Sequence, residues 1–310
     1  MSDRPLFVAG AAGFLGRAVL SAATRHHFSV RALVRTSAQA AAIAAPQVEP
    51  VIGDLLAPDT YATALRDCGA VLHLAQSSSE DLSDLRRVRV EGGRALFRAA
   101  SAAGVHRLVV GSGYWVYADR VGLLTEESPL RPLHLSQVNF DTEEVARAEA
   151  RESGVEVVVA RPGMVYGPGS WLRSWVQDLK DGSFRFVDKG ANFMSPVHWG
   201  DCGEAFLRLA TTTVRREVYL VVDDEPVTVR EFSEFVARTL ALPPPRGMPL
   251  AEAKSVWGDE VAELNSASRR ASNAELRRLG WSPRYPTFRD GLPEVLRSLR
   301  VADRSPSSPR

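Results

Sequence analysis

At 310 residues and 45% hydrophobic, the chain can bury one large core, enough for one big domain or one and a half. Thirty-eight basic residues against 37 acidic ones leave a net charge of +1, which argues against a nucleic-acid surface or an anionic-membrane surface. No apolar run approaches the roughly twenty residues of a membrane span. Met1 to Arg4 leads directly into an apolar run, so no signal peptide is expected. Cys68 and Cys202 lie far apart, without metal-ligand spacing, and a reduced, cytoplasmic protein with no metal is expected. The only lysines are Lys180, Lys189 and Lys254.

Pro5 to Gly16, PLFVAGAAGFLG, joins a short apolar run to a helical pattern through three glycines. Gly10 permits a sharp turn after a strand, Gly13 lets backbone approach a pyrophosphate, and Gly16 lets the helix pack on the sheet. Free N–H groups at that helix start, around Phe14 and Leu15, favour phosphate. The rest of the pattern alternates. Strands are expected at 29–34, 48–52, 70–74, 107–111, 155–160 and 218–222, with helices at 14–24, 37–44, 60–67, 81–103 and 202–210. Such alternation makes βαβ crossovers, hence a doubly wound parallel sheet of Rossmann type, with ligands at the carboxyl ends of the strands.

The second strand ends at Arg35 with no acid beside it, which favours the 2′-phosphate of NADP, NAD remaining possible. Asp54 and Leu55 follow the third strand, where they either meet an adenine or form an Asx turn. Leu74 and Ala75 follow the fourth, against the cofactor's diphosphate and ribose. His73 just before them reads best as a core histidine.

These segments, together with RPGMVYGPG from Arg161, SPVHWGD from Ser195 and LGWSPR from Leu279, resemble the extended or atypical short-chain dehydrogenase/reductases, which include NAD-dependent epimerases and dehydratases. The resemblance implies a Rossmann core over 1–168 and a smaller C-terminal substrate lobe over 169–302. Segments near 195–222 return to the core, Pro243 to Pro249 is a linker, Ser268 to Trp281 closes the lobe, and 303–310 form a disordered tail. It implies that Arg161, Pro162, Gly163 and Val165 cover the nicotinamide. One or two of Trp171, Trp175, Phe184, Phe186 and Phe193 are expected to line an apolar pocket.

In that family a Ser or Thr after the fifth strand polarises the substrate, and a Tyr assisted by a Lys one helical turn later exchanges the proton. Counted back from Arg161, the helix glutamate falls at Glu144, the Lys at Phe140 and the Tyr at Ser136. No Tyr or Lys occurs from Gly122 to Arg161. The family's hydroxyl position is Gly113, with Ser112 next to it, and Tyr117 matches a mainly structural Tyr. Ser112 is the first candidate for a substrate contact. Tyr114 is either a phenol aimed at the pocket or core; His134 is either an acid or merely exposed. Ser136 is a hydrogen-bond donor or, better, the N-cap of a helix from Val138, and Asn139 could orient substrate.

The expectation is an NAD(P)H-dependent reductase acting on a small, fairly apolar substrate without the Tyr-x-x-x-Lys dyad. The alternatives are a non-redox cyclase, dehydratase or isomerase using the same pocket, and a non-catalytic NADP-binding sensor. A monomer or homodimer is expected, because Arg86, Arg87, Arg89 and Arg94 make one usual dimer helix highly charged.

Overall fold

The computed structural model describes residues 4–77, 79, 81–119, 122–133 and 135–304. Its first half repeats one move, a strand followed by a crossover. β1 (Leu6–Ala9) leads to α1 (Phe14–Arg25), and β2 (Val30–Val34) to α2 (Ser37–Ala42). β3 (Val48–Ile52) leads to two short 3-10 turns, Pro58–Thr60 and Ala62–Leu65, in place of the helix expected over 60–67. Pro58 and the left-handed Asp67 (φ 62°) bracket that stretch too closely for a longer helix. After β4 (Ala70–His73) the expected single helix is broken by geometry: α3 (Leu82–Arg86), a π-helical turn over Arg87–Glu91, then α4 (Gly92–Ala102). β5 (Arg107–Gly111), the two-residue β6 (Leu123–Leu124), α5 (Leu135–Ser153) and β7 (Glu156–Pro162) complete this half.

The second half is more irregular. It runs through β8 (Met164–Tyr166), α6 (Leu172–Asp181), β9 (Arg185–Val187), β10 (Phe193–Met194), β11 (Pro196–His198), α7 (Trp199–Thr211) and β12 (Val218–Val221). It continues as β13 (Val227–Thr228), α8 (Val229–Leu240), β14 (Arg246–Met248), α9 (Leu250–Trp257), α10 (Asp259–Ser266), β15 (Arg270–Ala271), α11 (Ala274–Arg278) and α12 (Phe288–Arg304).

Seven strands form one parallel sheet in the order β12-β7-β5-β4-β1-β2-β3. β1 and β4 are apolar and fully buried apart from the equally buried His73, as strands covered on both faces must be. Side chains of α1 and α7 share a core with one face; side chains of α4 and α5 share a core with the other. α1 and α7 touch so closely that a Cβ on Gly203 would strike the Ala18 carbonyl. The winding reverses between β1 and β4, and there the strand ends open a crevice.

Other details depart from the sequence expectations. The segment from Ser195 makes β11, which pairs with β8 outside the main sheet, while β12 supplies the sheet's edge. The stretch expected as a linker contains β14, paired with β9. Trp281 packs into the α1–α7 core and donates its indole N–H to the Asp201 carbonyl (3.2 Å), so this residue closes the sheet side. Phe184 and Phe186 pack with Phe232 in a separate apolar cluster with α8 and α12, Trp171 and Trp175 pack against it while only partly buried, and Phe193, also partly buried, lies under the Arg270 guanidinium at 4.6 Å. α12 reaches Arg304, and residues 305–310 lie outside the described residues. Among the described residues no helix is long and apolar enough to cross a membrane, and no group of acids, histidines and cysteines could hold a metal ion.

Candidate cofactor and substrate site

The glycine turn is built for something to lie against it. Gly10 adopts φ 85°, a conformation that L side chains rarely take, and a Cβ there would lie 2.5 Å from the Ala75 nitrogen. The Gly13 N–H donates to the Gly10 carbonyl (3.0 Å), and a Cβ on Gly16 would strike that same carbonyl. Gly13 caps α1 with no side-chain acceptor, and the first turn holds no acid. The N–H groups around Phe14 and Leu15 are therefore left for an anion. The Leu74 N–H donates to the Ala9 carbonyl (2.9 Å), which draws the end of β4 against this turn. The turn fits a dinucleotide: a side chain at Gly10 or Gly16 would collide with its backbone, so this close-wound turn, with its free N–H groups, exists only with glycine there.

At the end of β2 the Arg35 side chain is exposed and forms no hydrogen bond or ion pair among the described residues; the Arg35 backbone N–H donates to Gln39 Oε1 (2.9 Å). Thr36 caps α2 by accepting from the Gln39 N–H (3.2 Å). Asp54 accepts from the Leu56 N–H (3.0 Å), the Asx turn, while its side chain stays exposed; Leu55 is buried. His73 is core, with Nε2 donating to the Arg89 carbonyl (3.0 Å), and burial pulls its pKa down to about 3.

A buried charge cluster lies under the other half of the crevice. Glu143 on α5 is fully buried and accepts from Arg161 Nε (2.9 Å) and Nη2 (2.6 Å), a two-pronged pair. Arg147 Nη2 reaches the same carboxylate at 3.1 Å, and Ser112 Oγ donates to it at 2.5 Å. The Arg161 guanidinium stacks 4.7 Å from the Tyr117 ring centroid. Arg89, buried in the π-helical turn, donates to the carbonyl of Gly111, and burial lowers its pKa to about 10.

These contacts revise several expectations. Ser112 serves Glu143, so its hydroxyl is already engaged. Arg161 is locked in the cluster under the crevice. α5 begins at Leu135, and Ser136 lies in its first turn, buried, donating to the Leu133 carbonyl and accepting from the Leu133 N–H (2.7 and 2.8 Å). Ser136 is thus neither the cap of a helix from Val138 nor a free donor. Tyr114 is 1% exposed, edge-on to Trp115 with centroids 5.0 Å apart, and desolvation raises its pKa; it is core. His134 lies outside the described residues.

The helix face itself shifts by one. Glu143 is the buried acid, whereas Glu144 is half exposed and pairs with Arg147 (2.6 Å). Counting back in fours from Glu143 gives Asn139 and Leu135 instead of Phe140 and Ser136. Asn139 Nδ2 lies 3.5 Å from where a Cβ on Gly113 would be, close to Trp115 Cδ1 (3.7 Å) and the Pro162 carbonyl (4.0 Å). Phe140 packs instead with Tyr114 and Trp115. Gly163 approaches the Ser195 carbonyl too closely for any side chain, and Val165 accepts from Trp171 Nε1 (2.8 Å), so the loop after β7 is tied on both sides.

Comparison with known proteins agrees with this geometry. A family profile described as NAD(P)H-binding matches residues 10–171. A ketoreductase of Stigmatella aurantiaca, named for a 4-hydroxy-2-methyl-3-oxo-4-farnesyl-3,4-dihydroquinoline-1-oxide, is 31% identical over 75% of this chain and 72% of its own. The chain belongs to the extended short-chain dehydrogenase/reductases. The chain is also 29% identical to a 3-diazoavenalumate denitrifying reductase of a Streptomyces species, over 93% of this chain and 98% of that one. It superposes on the NAD-bound dTDP-glucose 4,6-dehydratase of Streptomyces venezuelae with a TM-score of 0.81, at 25% identity over 96% of this chain and 97% of that one. As a member of this family the protein is an NAD(P)-dependent oxidoreductase.

Glu143, Arg89 and Arg269 escaped sequence reasoning as site residues. A charge on an otherwise apolar helix face was the available signal for Glu143. Arg269, from the far end of the chain, stacks 4.7 Å over the Trp115 ring and carried none.

Proposed function

We propose that this chain is an NADPH-dependent reductase that directs hydride to an electron-poor carbon of a small, fairly apolar, conjugated substrate, in a site that lacks the Tyr-x-x-x-Lys dyad. The observation that carries the reading is the face of α5. Asn139 stands beside Gly113 where a Lys is usual, and neither Tyr nor Lys occurs anywhere from Gly122 to Arg161. A bound reduced nicotinamide supplies the hydride.

The glycine turn binds the diphosphate, and Arg35, free of other partners among the described residues, meets the 2′-phosphate, a group that a guanidinium grips through paired donors. Pro162, Gly163 and Val165 border the nicotinamide, while Leu74 and Ala75 line the diphosphate side. Asn139 offers an amide hydrogen bond to a substrate oxygen and has no proton to give up at neutral pH. Ser112 is held by Glu143 and the Tyr114 phenol is buried, so neither is ready as an acid. A site of this kind suits substrates whose product needs only a solvent proton, or none, after hydride arrives. The names of the two reductase relatives fit such substrates: one is an oxidised dihydroquinoline ketone, the other a diazo compound.

The test is a titration with NADPH and with NADH, followed by tryptophan-to-nicotinamide energy transfer, on wild type and Arg35→Ala. NADPH should bind the more tightly, and the variant should lose about tenfold or more of that affinity, the scale of one charge-assisted contact, with NADH little affected. Substrate-dependent loss of NADPH absorbance in a screen of conjugated ketones would complete it. Tight NADPH binding with no oxidation by any such substrate would sink the redox reading.

A further inference from the structure

Among the polar side chains outside the cofactor cradle, Arg269 is the least accounted for. Only 5% of its surface is exposed, yet Nε and Nη1 meet no acceptor. Asp119, whose field reaches it, accepts the Ser268 N–H (2.6 Å) and forms no ion pair with the guanidinium. A cation stripped of water without a counter-charge is strongly unfavourable, and burial accordingly lowers the pKa of this arginine.

The main chain at this residue is fixed from both sides. Its N–H donates to the Phe193 carbonyl (2.8 Å), its carbonyl accepts from Ser195 Oγ (3.0 Å), and the next residue begins β15, paired with β6. The backbone is thus pinned on both sides, and Trp115 packs over the guanidinium. Trp115 covers one guanidinium face at 4.7 Å, with Tyr114 beside it. Trp115 Cδ1 in turn borders Gly113, across from Asn139 Nδ2. One indole ring thus links the Arg269 guanidinium to Gly113 and Asn139.

We propose that Arg269 is a substrate-binding residue: it takes an anionic oxygen, carboxylate or enolate, of a flat conjugated molecule that lies against Trp115 with its reacting carbon toward Gly113 and Asn139. Nε and Nη1 lie on different edges of the planar guanidinium, so they offer two separate charged donors, either of which can take a single anionic oxygen. The indole supplies the apolar surface for the ring. This inference rests on reading the pocket as the substrate site and adds the substrate's charge and shape.

The probe pair is 2-naphthoate and its neutral isostere 2-naphthamide. Each is titrated into the full-length chain by tryptophan fluorescence, with and without saturating NADPH. Wild type should bind the acid at least about tenfold more tightly than the amide, the worth of one charge-assisted pair. Arg269→Met should erase that preference, Arg269→Lys should keep part of it, and Trp115→Phe should weaken both probes alike. An unchanged melting temperature and unchanged NADPH affinity identify a folded variant, with Arg269→Gln as the second removal of charge. Equal binding of the two probes by wild type, a preference that survives in the Met or Gln variant, or no binding of either probe overturns the proposal. Failure of wild type to bind NADPH would count against the reductase reading alone, because the probe comparison without nucleotide still decides the charge preference.

Discussion

At the scale of single residues, Glu143 organises the floor of the site. One carboxylate receives a two-pronged Arg161, a third contact from Arg147 and the Ser112 hydroxyl, with no exposed surface of its own. Removing one member of such a set leaves buried cations without their counter-charge, which is far more damaging than the set is stabilising. Glu143→Gln should therefore lower unfolding free energy by about 3–5 kcal/mol, read as a fall in the urea midpoint. A loss below about 1 kcal/mol would mean that the cluster is hydrated. Ser112 shows how far sequence goes at this scale. Its position after β5 was legible, but the acid that engages its hydroxyl comes from a helix 31 residues later, and only the fold brings the two together.

At the scale of elements, the strand–turn–helix of β1 and α1 was the most legible part of the chain, because its constraints are spaced along one continuous segment. Gly10 needs its positive φ and the absence of a Cβ at once. Gly10→Ala should keep the far-ultraviolet circular dichroism of the parent and lose about tenfold or more of NADPH affinity, since both the turn strain and the clash with Ala75 fall on the phosphate cradle. Wild-type affinity in that variant would place the nucleotide elsewhere. Helix α5 was legible as a helix but misread by one residue in its facing. A residue count back from Arg161 does not report which face of the helix is buried, and the buried acid is Glu143. One residue is 100° of helix, enough to exchange Asn139 for Phe140 at the crevice. The short ladders of β14 with β9 and β15 with β6 were invisible for a related reason: strands of two or three residues carry no alternation to read.

For the whole molecule, pH acts through groups that burial keeps neutral. The folded-state pKa of His73 is about 3 and that of His198 about 4, both below the ordinary value near 6.5. Below pH 6.5 the unfolded chain takes up protons that the folded chain refuses, so stability falls as pH drops toward 4 and levels off only below the folded values. Asp223 works the other way. Burial lifts its pKa to about 9, so the folded chain keeps a proton that the unfolded chain gives up, and stability declines between pH 4 and 9. His73→Gln should flatten the acid limb, recovering about 2–3 kcal/mol of its slope between pH 6.5 and 4.5, measured by denaturant titration at each pH. An identical acid limb in the variant would assign the loss to other groups.

The apolar cluster beside the site has an engineering consequence. Its members come from three separated stretches, around α6 and β9, around β13 and α8, and from α12, with core strands threaded between them. A chimera that replaces this lobe with a relative's therefore cannot be made with one splice. It needs crossovers that bracket all three stretches together, and a donor that supplies only one would leave Phe232 facing a stranger's side chains in place of the Trp171, Trp175 and Phe288 it now meets.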